Sequence, residues 1–305
     1  MSTLTVATYN VYLGADLALL FAATSIDELA ERARVVQRQL TVTDFAQRAD
    51  AIARILARED VDVVGLQEVT RWESDGELVV DFLPLIVKAC ENAGAAYDVH
   101  AVNQSFAGGL PVDGHWMSIA GADAVLVRRD GRFTVTGEGA ASYARSLDMA
   151  TGIDGVTFPI VRGWARVEGL VDGRRVLFAT THTEAYDAAV REAQRDELLA
   201  ALGDPGCPTV VVGDFNARPE DVGVPAPYQD AWVAAGNDPH AGYTCGQGAE
   251  LGNDASSLGE RIDYVFVRDA TVVDCVVVGD QEDDRTRPGR LWPSDHAGVV
   301  ARLEF

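Results

Sequence analysis

The stretch that decides the fold is TVVVGDFNARP at residues 209–219. Its β-branched run predicts a buried central strand, and Gly213 then lets the backbone approach a neighbour closely. Because strand side chains alternate, Asp214 and Asn216 share one face while Phe215 points into the core. A carboxylate and a carboxamide at a strand end suit a site for an anion and a metal ion. Asp and Asn are also common turn formers, so the stretch alone leaves open an ordinary strand-to-turn junction.

The composition is that of a globular protein. The chain has 305 residues, of which 48% are hydrophobic and 24% are charged. No composition break marks a boundary, so we predict a single domain over 1–305 with a helical insertion around 15–58. No run approaches the ~18 apolar residues of a membrane span. No basic region precedes an apolar core at the N-terminus, so no signal peptide is visible. A cytoplasmic location is expected, or secretion if a leader has been removed.

The charge balance bears on the substrate. Against 47 acidic residues the chain has 25 basic ones, a formal net charge of −22. Such a surface repels polyphosphate chains, so nucleic acid is disfavoured as a partner and a small-molecule or lipid phosphoester is favoured. Only Lys88 is a lysine; the other basic residues are arginines, whose forked head suits phosphate. We expect a monomer.

The four cysteines lie far apart in the sequence and show no Cys-x-x-Cys pairing: Cys90, Cys207, Cys245 and Cys275. Neither a zinc site nor a disulfide framework is indicated. Four incidental or buried thiols in a reducing compartment are the simpler interpretation.

Periodicity predicts several local elements. Helices are expected over Ile26–Gln39, Thr43–Arg58, Leu78–Ala93 and Ala188–Leu202. Residues 163–171 and 175–181 are expected to form a hairpin about Asp172-Gly173. A Gly-rich loop is expected over 108–121, and short irregular structure over 132–158. Loop residues that can line a pocket, or lie on the surface instead, are His115, Trp116, His240 and Tyr243.

Several apolar strands end in an isolated polar side chain. These residues are Asn10, Glu68, His182, Asp214 with Asn216, and Asp263; the C-terminal segment adds Ser294-Asp295-His296. One strand ending in Asp or Asn means little. Several strands ending in this way predict a shared rim where a site is assembled.

These blocks resemble a known superfamily in both order and character. The blocks are Thr8-Tyr9-Asn10, Leu66-Gln67-Glu68-Val69, Thr181-His182-Thr183, Gly213-Asp214-Phe215-Asn216, Ile262-Asp263-Tyr264 and Ser294-Asp295-His296. Together they resemble the endonuclease/exonuclease/phosphatase superfamily of the deoxyribonuclease-I-like fold. Its relatives include apurinic endonucleases, bacterial sphingomyelinases and inositol-polyphosphate 5-phosphatases. The resemblance implies a four-layer α/β/β/α sandwich in which two mostly antiparallel sheets are flanked by helices.

The resemblance also implies a metal site. Glu68 is the best candidate ligand, with Asn10 and Asp295 beside it. Magnesium prefers oxygen ligands, usually one or two carboxylates with water and substrate phosphate. The implied cofactor is therefore Mg²⁺, with Mn²⁺ as an alternative.

The catalytic roles follow the same resemblance. Asp214 would orient or deprotonate the attacking water, and Asn216 would hold that water or a phosphate oxygen. His296 would stabilise transition-state charge or transfer a proton, with Asp263 as the carboxylate that fixes its tautomer. An alternative for Asp263 is a buried pair with Arg261.

Two further residues are candidates for contact with phosphate. His182 resembles the second active-site histidine of the family, although a lone histidine at a strand end is often structural. Arg162 precedes a strand where relatives often carry a phosphate-contacting residue, and a surface arginine is the alternative.

Three functions remain open from the sequence. The first is a Mg²⁺-dependent phosphoesterase acting on a small or lipid-linked phosphate ester by in-line attack of water. Extra length between Asn10 and Glu68 favours it, because inserted helices can narrow a cleft around a compact substrate. The second is an endonuclease or exonuclease on DNA or RNA. The third, a non-catalytic binding protein, needs a degraded site, and all six blocks are intact.

Overall fold

The structure is a computed structural model that describes residues 2–305, and these residues form sixteen strands. In chain order the strands are β1 (Thr3–Asn10), β2 (Val63–Gln67), β3 (Arg71–Ser74), β4 (Glu77–Asp81), β5 (Tyr97–Val112), β6 (His115–Arg128), β7 (Phe133–Ser142), β8 (Leu147–Ala150), β9 (Thr157–Ile160), β10 (Gly163–Val171), β11 (Arg174–His182), β12 (Thr209–Asp214), β13 (Gln229–Asp230), β14 (Asp263–Arg268), β15 (Thr271–Val278) and β16 (Gly298–Glu304).

Residues 2–305 also form six α-helices. They are α1 (Ala18–Phe21), α2 (Ile26–Val42), α3 (Phe45–Arg58), α4 (Phe82–Asn92), α5 (Ala188–Leu202) and α6 (Ala231–Ala234). The N-cap of α2 is Ser25, whose side chain accepts from the Glu28 N–H. Such a cap satisfies one of the helix's first free N–H groups.

Two large sheets carry the fold. The first runs β15-β16-β1-β2-β6-β3-β4, with β5 also paired to β6, and the second runs β13-β14-β12-β11-β10-β7. Each contains a single parallel pair, β1 with β2 and β11 with β12, among antiparallel neighbours. The prediction of two mostly antiparallel sheets is therefore confirmed.

Three buried clusters separate four layers. One lies between α1–α4 and the outer face of the first sheet. The second is formed by inward side chains of both sheets, among them Val6 and Val63 from the first and Val167 and Val212 from the second. The third packs α5, through Leu198, on the outer face of the second sheet. The α/β/β/α sandwich is confirmed.

Three local predictions were wrong. Residues 77–81 are not helical but form β4, because they pair with β3, and α4 begins only after the Asp81 cap. The predicted loop 108–121 belongs to the long β5–β6 hairpin, whose turn is Asp113-Gly114. Residues 133–142 form β7, which pairs with β10 along its length. In the last two cases backbone pairing outweighs the turn tendency of glycine.

The predicted helical insertion around 15–58 contains α1, α2 and α3. That the chain is a single domain stays a prediction. Across residues 2–305, none of the helices combines the length and the apolarity required for a membrane crossing.

Candidate active site

Strand register places three predicted site residues side by side. His182 ends β11 opposite Asp214 at the end of β12, and Asp214 in turn lies opposite Asp263 at the start of β14. The close approach depends on Gly213, where an added Cβ would lie 2.0 Å from the Thr181 carbonyl oxygen. The three side chains are buried. The second sheet therefore brings His182, Asp214 and Asp263 together where β11 and β12 end and β14 begins.

The first sheet supplies Asn10 and Glu68 from its parallel pair. Asn10 ends β1, and its Oδ1 accepts from the Tyr12 N–H at 3.0 Å. Glu68 follows β2 in a left-handed conformation with φ of 60°, and its Oε2 accepts from the Leu13 N–H at 2.8 Å. A non-glycine residue with positive φ is uncommon and is often found at functional sites.

The Asp214 carboxylate is the centre of the arrangement. Its Oδ2 accepts from the Asn10 side-chain amide at 3.1 Å, and its Oδ1 accepts from the Asn216 backbone N–H at 2.9 Å. Nε2 of His182 lies 3.5 Å from Oδ2, and Nε2 of His296 lies 3.8 Å from it. Burial, followed by the Asp263 charge, raises the pKa of Asp214 to about 6.

His296 forms a buried dyad with Asp263. Its Nδ1 lies 2.8 Å from Asp263 Oδ2. Burial opposes the charged ring, but the negative charge of Asp263 and weaker effects of Cys245 and Asp295 outweigh it, so the pKa of His296 is well above its ordinary value. The alternative pairing of Asp263 is not found, because Arg261 is paired with Asp230.

His182 has the opposite protonation preference. Burial, then the Arg162 charge, lowers its pKa well below the ordinary value. Arg162 Nη1 lies 3.0 Å from His182 Nδ1. Since a guanidinium can only donate, Nδ1 is the acceptor and the proton of the neutral ring is on Nε2, facing Asp214. Arg162 is buried, so it is not a surface arginine.

The C-terminal block is tied to the first sheet through Ser294. Its hydroxyl donates to the Asn10 carbonyl oxygen at 2.7 Å, and it accepts from the His296 N–H at 3.1 Å. Asp295 lies between Ser294 and His296 in the chain, and it lines the same groove as Glu68 and Arg162. All nine predicted site residues therefore belong to one contiguous region.

A sequence profile described as the Endonuclease/Exonuclease/phosphatase family matches residues 7–296. The chain belongs to this family. The family consists of metal-dependent phosphoester hydrolases, and the chain is an enzyme of that class. No curated protein matches the sequence.

Solved structures of family members share the fold. Truncated Caenorhabditis elegans TDP2 has a TM-score of 0.60 at 22% identity, over 99% of this chain and 98% of that one. TDP2 of D. rerio, complexed with a single-strand DNA product, has a TM-score of 0.59 at 17% identity, with 100% of both chains covered. A mannosyl-6-phosphatase of Bacteroides thetaiotaomicron has a TM-score of 0.62 at 21% identity, over 99% and 100%.

The side chains fit the divalent metal on which the family depends. Burial raises the pKa of Asp295 to about 7, the His296 charge works against this rise, and the Glu68 carboxylate adds to it. Two carboxylates that repel each other across a groove are suited to a shared cation, which would compensate both charges. Asp214, Asp263 and His296 also have ligand atoms within 4.8 Å of one another. The hydrogen bond between His296 and Asp263 indicates that these two residues handle a proton instead.

One acidic residue beside His182 was not predicted from the sequence. Asp123 is buried in β6, with Oδ1 3.9 Å from Nδ1 of His182. Burial raises its pKa to about 7, while the Arg162 charge opposes the rise. The sequence did contain a signal: Asp123 is the one charged residue in the otherwise apolar run Ala122–Val127. In a strand that is buried on both faces, a charged side chain is unexpected.

The four loop residues named as possible pocket-lining groups lie elsewhere. His115 and Trp116 are exposed at the start of β6, where His115 Nδ1 lies 2.7 Å from Asp75. His240 and Tyr243 line a separate small pocket beside Arg218. All four cysteines are free thiols.

Proposed function

We propose that this enzyme is a Mg²⁺-dependent hydrolase of a small-molecule or lipid-linked phosphate ester, acting by in-line attack of water. One observation carries the proposal: a buried carboxylate with a pKa of about 6 is faced by two imidazoles with opposite protonation preferences. Groups whose environments separate their pKa values in this way are typical of acid–base sites.

Asp214 is the base of the proposed reaction. A pKa near 6 leaves it ionised at neutral pH yet basic enough to accept a proton from the attacking water. Its two oxygens are held by Asn10 and by the Asn216 backbone, so its orientation is fixed. The Asn216 side chain is itself anchored by the Thr183 carbonyl at 2.9 Å, which supports a role in positioning water or a phosphate oxygen.

In the proposed reaction, hydrogen-bond donors stabilise the negative charge that develops on the oxygens bound to phosphorus. His296, kept protonated by Asp263, presents Nε2–H toward the site, and neutral His182 presents its own Nε2–H. Arg162 adds a fixed positive charge behind His182. Preorganised donors of this kind stabilise a transition state without reorganising during the reaction.

Glu68 and Asp295, with the Asn10 carboxamide, would hold the metal ion. When bound, Mg²⁺ would supply charge neutralisation at the phosphate. Mn²⁺ satisfies the same oxygen ligands and is the alternative ion.

A substrate panel tests the proposal. Bis-p-nitrophenyl phosphate, p-nitrophenyl phosphate, inositol phosphates and sphingomyelin are offered with Mg²⁺ and then with EDTA. We expect metal-dependent release from at least one ester, and loss of about 10²–10⁴-fold in Asp214→Asn and in His296→Ala. Asp269→Asn is the matched control, because Asp269 follows the opposite end of β14. Near-normal rates in either site variant would remove that residue from the mechanism.

A nuclease is the second candidate, favoured by the likeness to a TDP2 structure bound to a single-strand DNA product. The net charge of −22 argues against it, because a long polyanion must approach an acidic surface. Plasmid DNA and a single-stranded oligonucleotide complete the panel. Cleavage of nucleic acid as the only metal-dependent activity would overturn the first proposal.

The free thiols support a reducing, cytoplasmic location. That the enzyme acts as a monomer stays a prediction.

A further inference from the structure

An apolar groove opens directly from the active site and has a volume of about 430 Å³. We propose that it binds an alkyl or acyl chain carried by the phosphoester substrate. This inference rests on the proposed function, because it assigns the substituent of the same phosphate. The volume is in the range of pockets that enclose most of a small ligand.

Apart from Glu68 and Asp295, the residues that line the groove come from parts of the chain that lie outside the six family blocks. One wall is made by α1 and α2 of the helical insertion, and the opposite wall by the β5–β6 hairpin, with β9 completing it. The apolar lining includes Leu20, Val36, Phe106, Leu110, Ile119 and Phe158.

The charged groups that line the groove are gathered at its active-site end. These are Asp16, Glu68, Arg162 and Asp295. Glu68, Arg162 and Asp295 belong to the candidate active site itself, and the charge of Asp16 acts on Tyr12 together with the charges of Asp295 and Glu68. The groove therefore has a charged end, where Arg162 and the Mg²⁺ proposed at Glu68 and Asp295 would receive the phosphate, and an apolar remainder.

The apolar part is shaped by defined contacts between the walls. The Phe21 ring lies 5.5 Å from the Phe158 ring and 5.7 Å from the Tyr186 ring. Gln37 lies 3.9 Å from the Met117 sulfur, which joins α2 to the hairpin. Packing of the insertion against the hairpin keeps the walls in place before any ligand arrives.

The lining favours an aliphatic chain over a sugar or further nucleotides. A sugar carries a hydroxyl on most carbons and needs a matching set of polar partners, since unpaired polar groups are costly to bury. Besides the four charged residues, the groove is lined by the polar side chains of Gln37, Ser118 and Gln247 and by the rings of Tyr12, Trp72 and Tyr186. Several of these polar groups already have protein partners: Tyr12 donates to Ala249, Trp72 to Leu13 and Gln247 to Ser256. Additional phosphates would meet the carboxylates of Asp16 and Glu68 without a basic residue beyond Arg162. An alkyl chain requires only apolar surface.

Gly108 offers a steric test of the groove. It lines the groove and pairs across the hairpin with Ile119, so the two residues share a face. A Cβ added at Gly108 would have nothing within 4 Å, so a large side chain can enter the groove without displacing the backbone. Gly137 in β7 is the matched control, because a Cβ there meets only an ordinary contact at 3.8 Å.

Binding of alkylphosphonates by calorimetry in Mg²⁺ tests the proposal without turnover. The wild-type enzyme should bind octylphosphonate at least about tenfold more tightly than methylphosphonate, since a fully buried methylene contributes about fourfold. Gly108→Phe should abolish this difference, and Gly137→Phe should keep it. No detectable octylphosphonate binding, equal affinities in the wild type, or an unchanged ratio in Gly108→Phe would each overturn the proposal.

Hydrolysis separates this inference from the proposed function. Methyl and octyl p-nitrophenyl phosphate are compared at equal concentration, below the point where the octyl ester forms micelles. If both esters are hydrolysed with Mg²⁺ at the same kcat/KM, the groove assignment fails and the phosphoesterase stands. If octylphosphonate binds tightly and neither ester is hydrolysed, the groove stands and the proposed reaction on these esters fails.

Discussion

At the scale of single residues, the proposed reaction depends on the protonation state of each imidazole, His182 and His296. Asp263→Asn removes the charge that keeps His296 protonated while preserving the shape of the dyad. The pKa of His296 should fall toward its ordinary value, and kcat should fall by about 10²–10⁴-fold above that pKa. Histidine side-chain NMR titration measures the first effect, and a pH–rate profile measures the second.

The pH–rate profile separates this role from a merely structural one. If Asp263 only supports the fold, the variant should lose activity equally at every pH and its His296 should titrate as in the wild type. A lowered His296 pKa with an unchanged rate at neutral pH would contradict the role given to the protonated ring.

Arg48 is a buried guanidinium that ties the site to α3. It donates to the carbonyl oxygens of Thr43 at 2.8 Å, Tyr12 at 3.0 Å and Pro293 at 3.1 Å, and also to that of Val11. The Val11 and Tyr12 carbonyls follow Asn10, and the Pro293 carbonyl precedes the C-terminal block.

Arg48→Met should therefore destabilise the protein by about 3 kcal/mol, because several buried carbonyls lose their donor at once. Urea unfolding measures the change, with Arg38→Met as the exposed arginine control on α2. Similar midpoints for the two variants would show that water or relaxation replaces the lost donors.

The sequence predicts which residues belong to the candidate site where a polar side chain ends an apolar strand. All nine predicted side chains lie in one region, and six of them were predicted at strand ends. Arg162, Asp295 and His296 precede strands and were predicted from the resemblance to the family.

Asp123 and Arg48 were not predicted, because each lies within a strand or helix and contacts residues that are far away in the chain. Asp123 lies 3.9 Å from His182, and Arg48 donates to the Pro293 carbonyl oxygen. Only the packing of β6 beside β11, and of α3 beneath the loops, reveals their contacts.

At the scale of elements, the junction of β11 and β12 is the most constrained part of the site. A methyl group at Gly213 would collide with the Thr181 backbone oxygen at 2.0 Å, so one of the two strands must shift. Gly213→Ala should cost about 2–4 kcal/mol of stability and should displace Asp214 from His182.

Thermal unfolding and the turnover rate of Gly213→Ala together test this constraint. Gly137→Ala in β7 is the control, since its added methyl meets only an ordinary contact. A variant at Gly213 as stable and as active as this control would show that the strands are not fixed at that point.

Element type was predicted well for central strands and amphipathic helices, and poorly along the hairpin and at edges. Glycines at 109 and 121 indicated a loop, yet they lie in paired strands where the Trp116 and Phe106 side chains cover them. In a single sequence, a glycine required for close packing resembles a glycine required for a turn.

At the scale of the whole molecule, the order of the six blocks was sufficient to predict the sandwich. The same blocks say nothing about the groove, because α1, α2 and the β5–β6 hairpin lie between them. Family membership is therefore predictable from the type and order of the side chains at the strand ends. The groove proposed to bind the substrate chain is built largely from insertions whose packing only the structure shows.

The acidic site also links metal binding to pH and global stability. The pKa values of Asp123 and Asp295 are raised to about 7, and that of Asp214 to about 6. Between the unfolded carboxyl pKa near 4 and these values, the folded state holds more protons than the unfolded state. Stability of the metal-free protein should therefore fall as pH rises through this window. The lowered pKa of His182 acts in the opposite direction below its ordinary value.

A divalent cation should reverse this loss, because it binds the ionised carboxylates and competes with their protons. Saturating Mg²⁺ should raise the unfolding temperature more at about pH 8 than at about pH 5, where Asp295 is protonated. Glu68→Gln combined with Asp295→Asn should remove the Mg²⁺ effect at both pH values, whereas Asp269→Asn should retain it. A Mg²⁺ shift that is equal at both pH values, or that survives in the double variant, would place the metal away from Glu68 and Asp295.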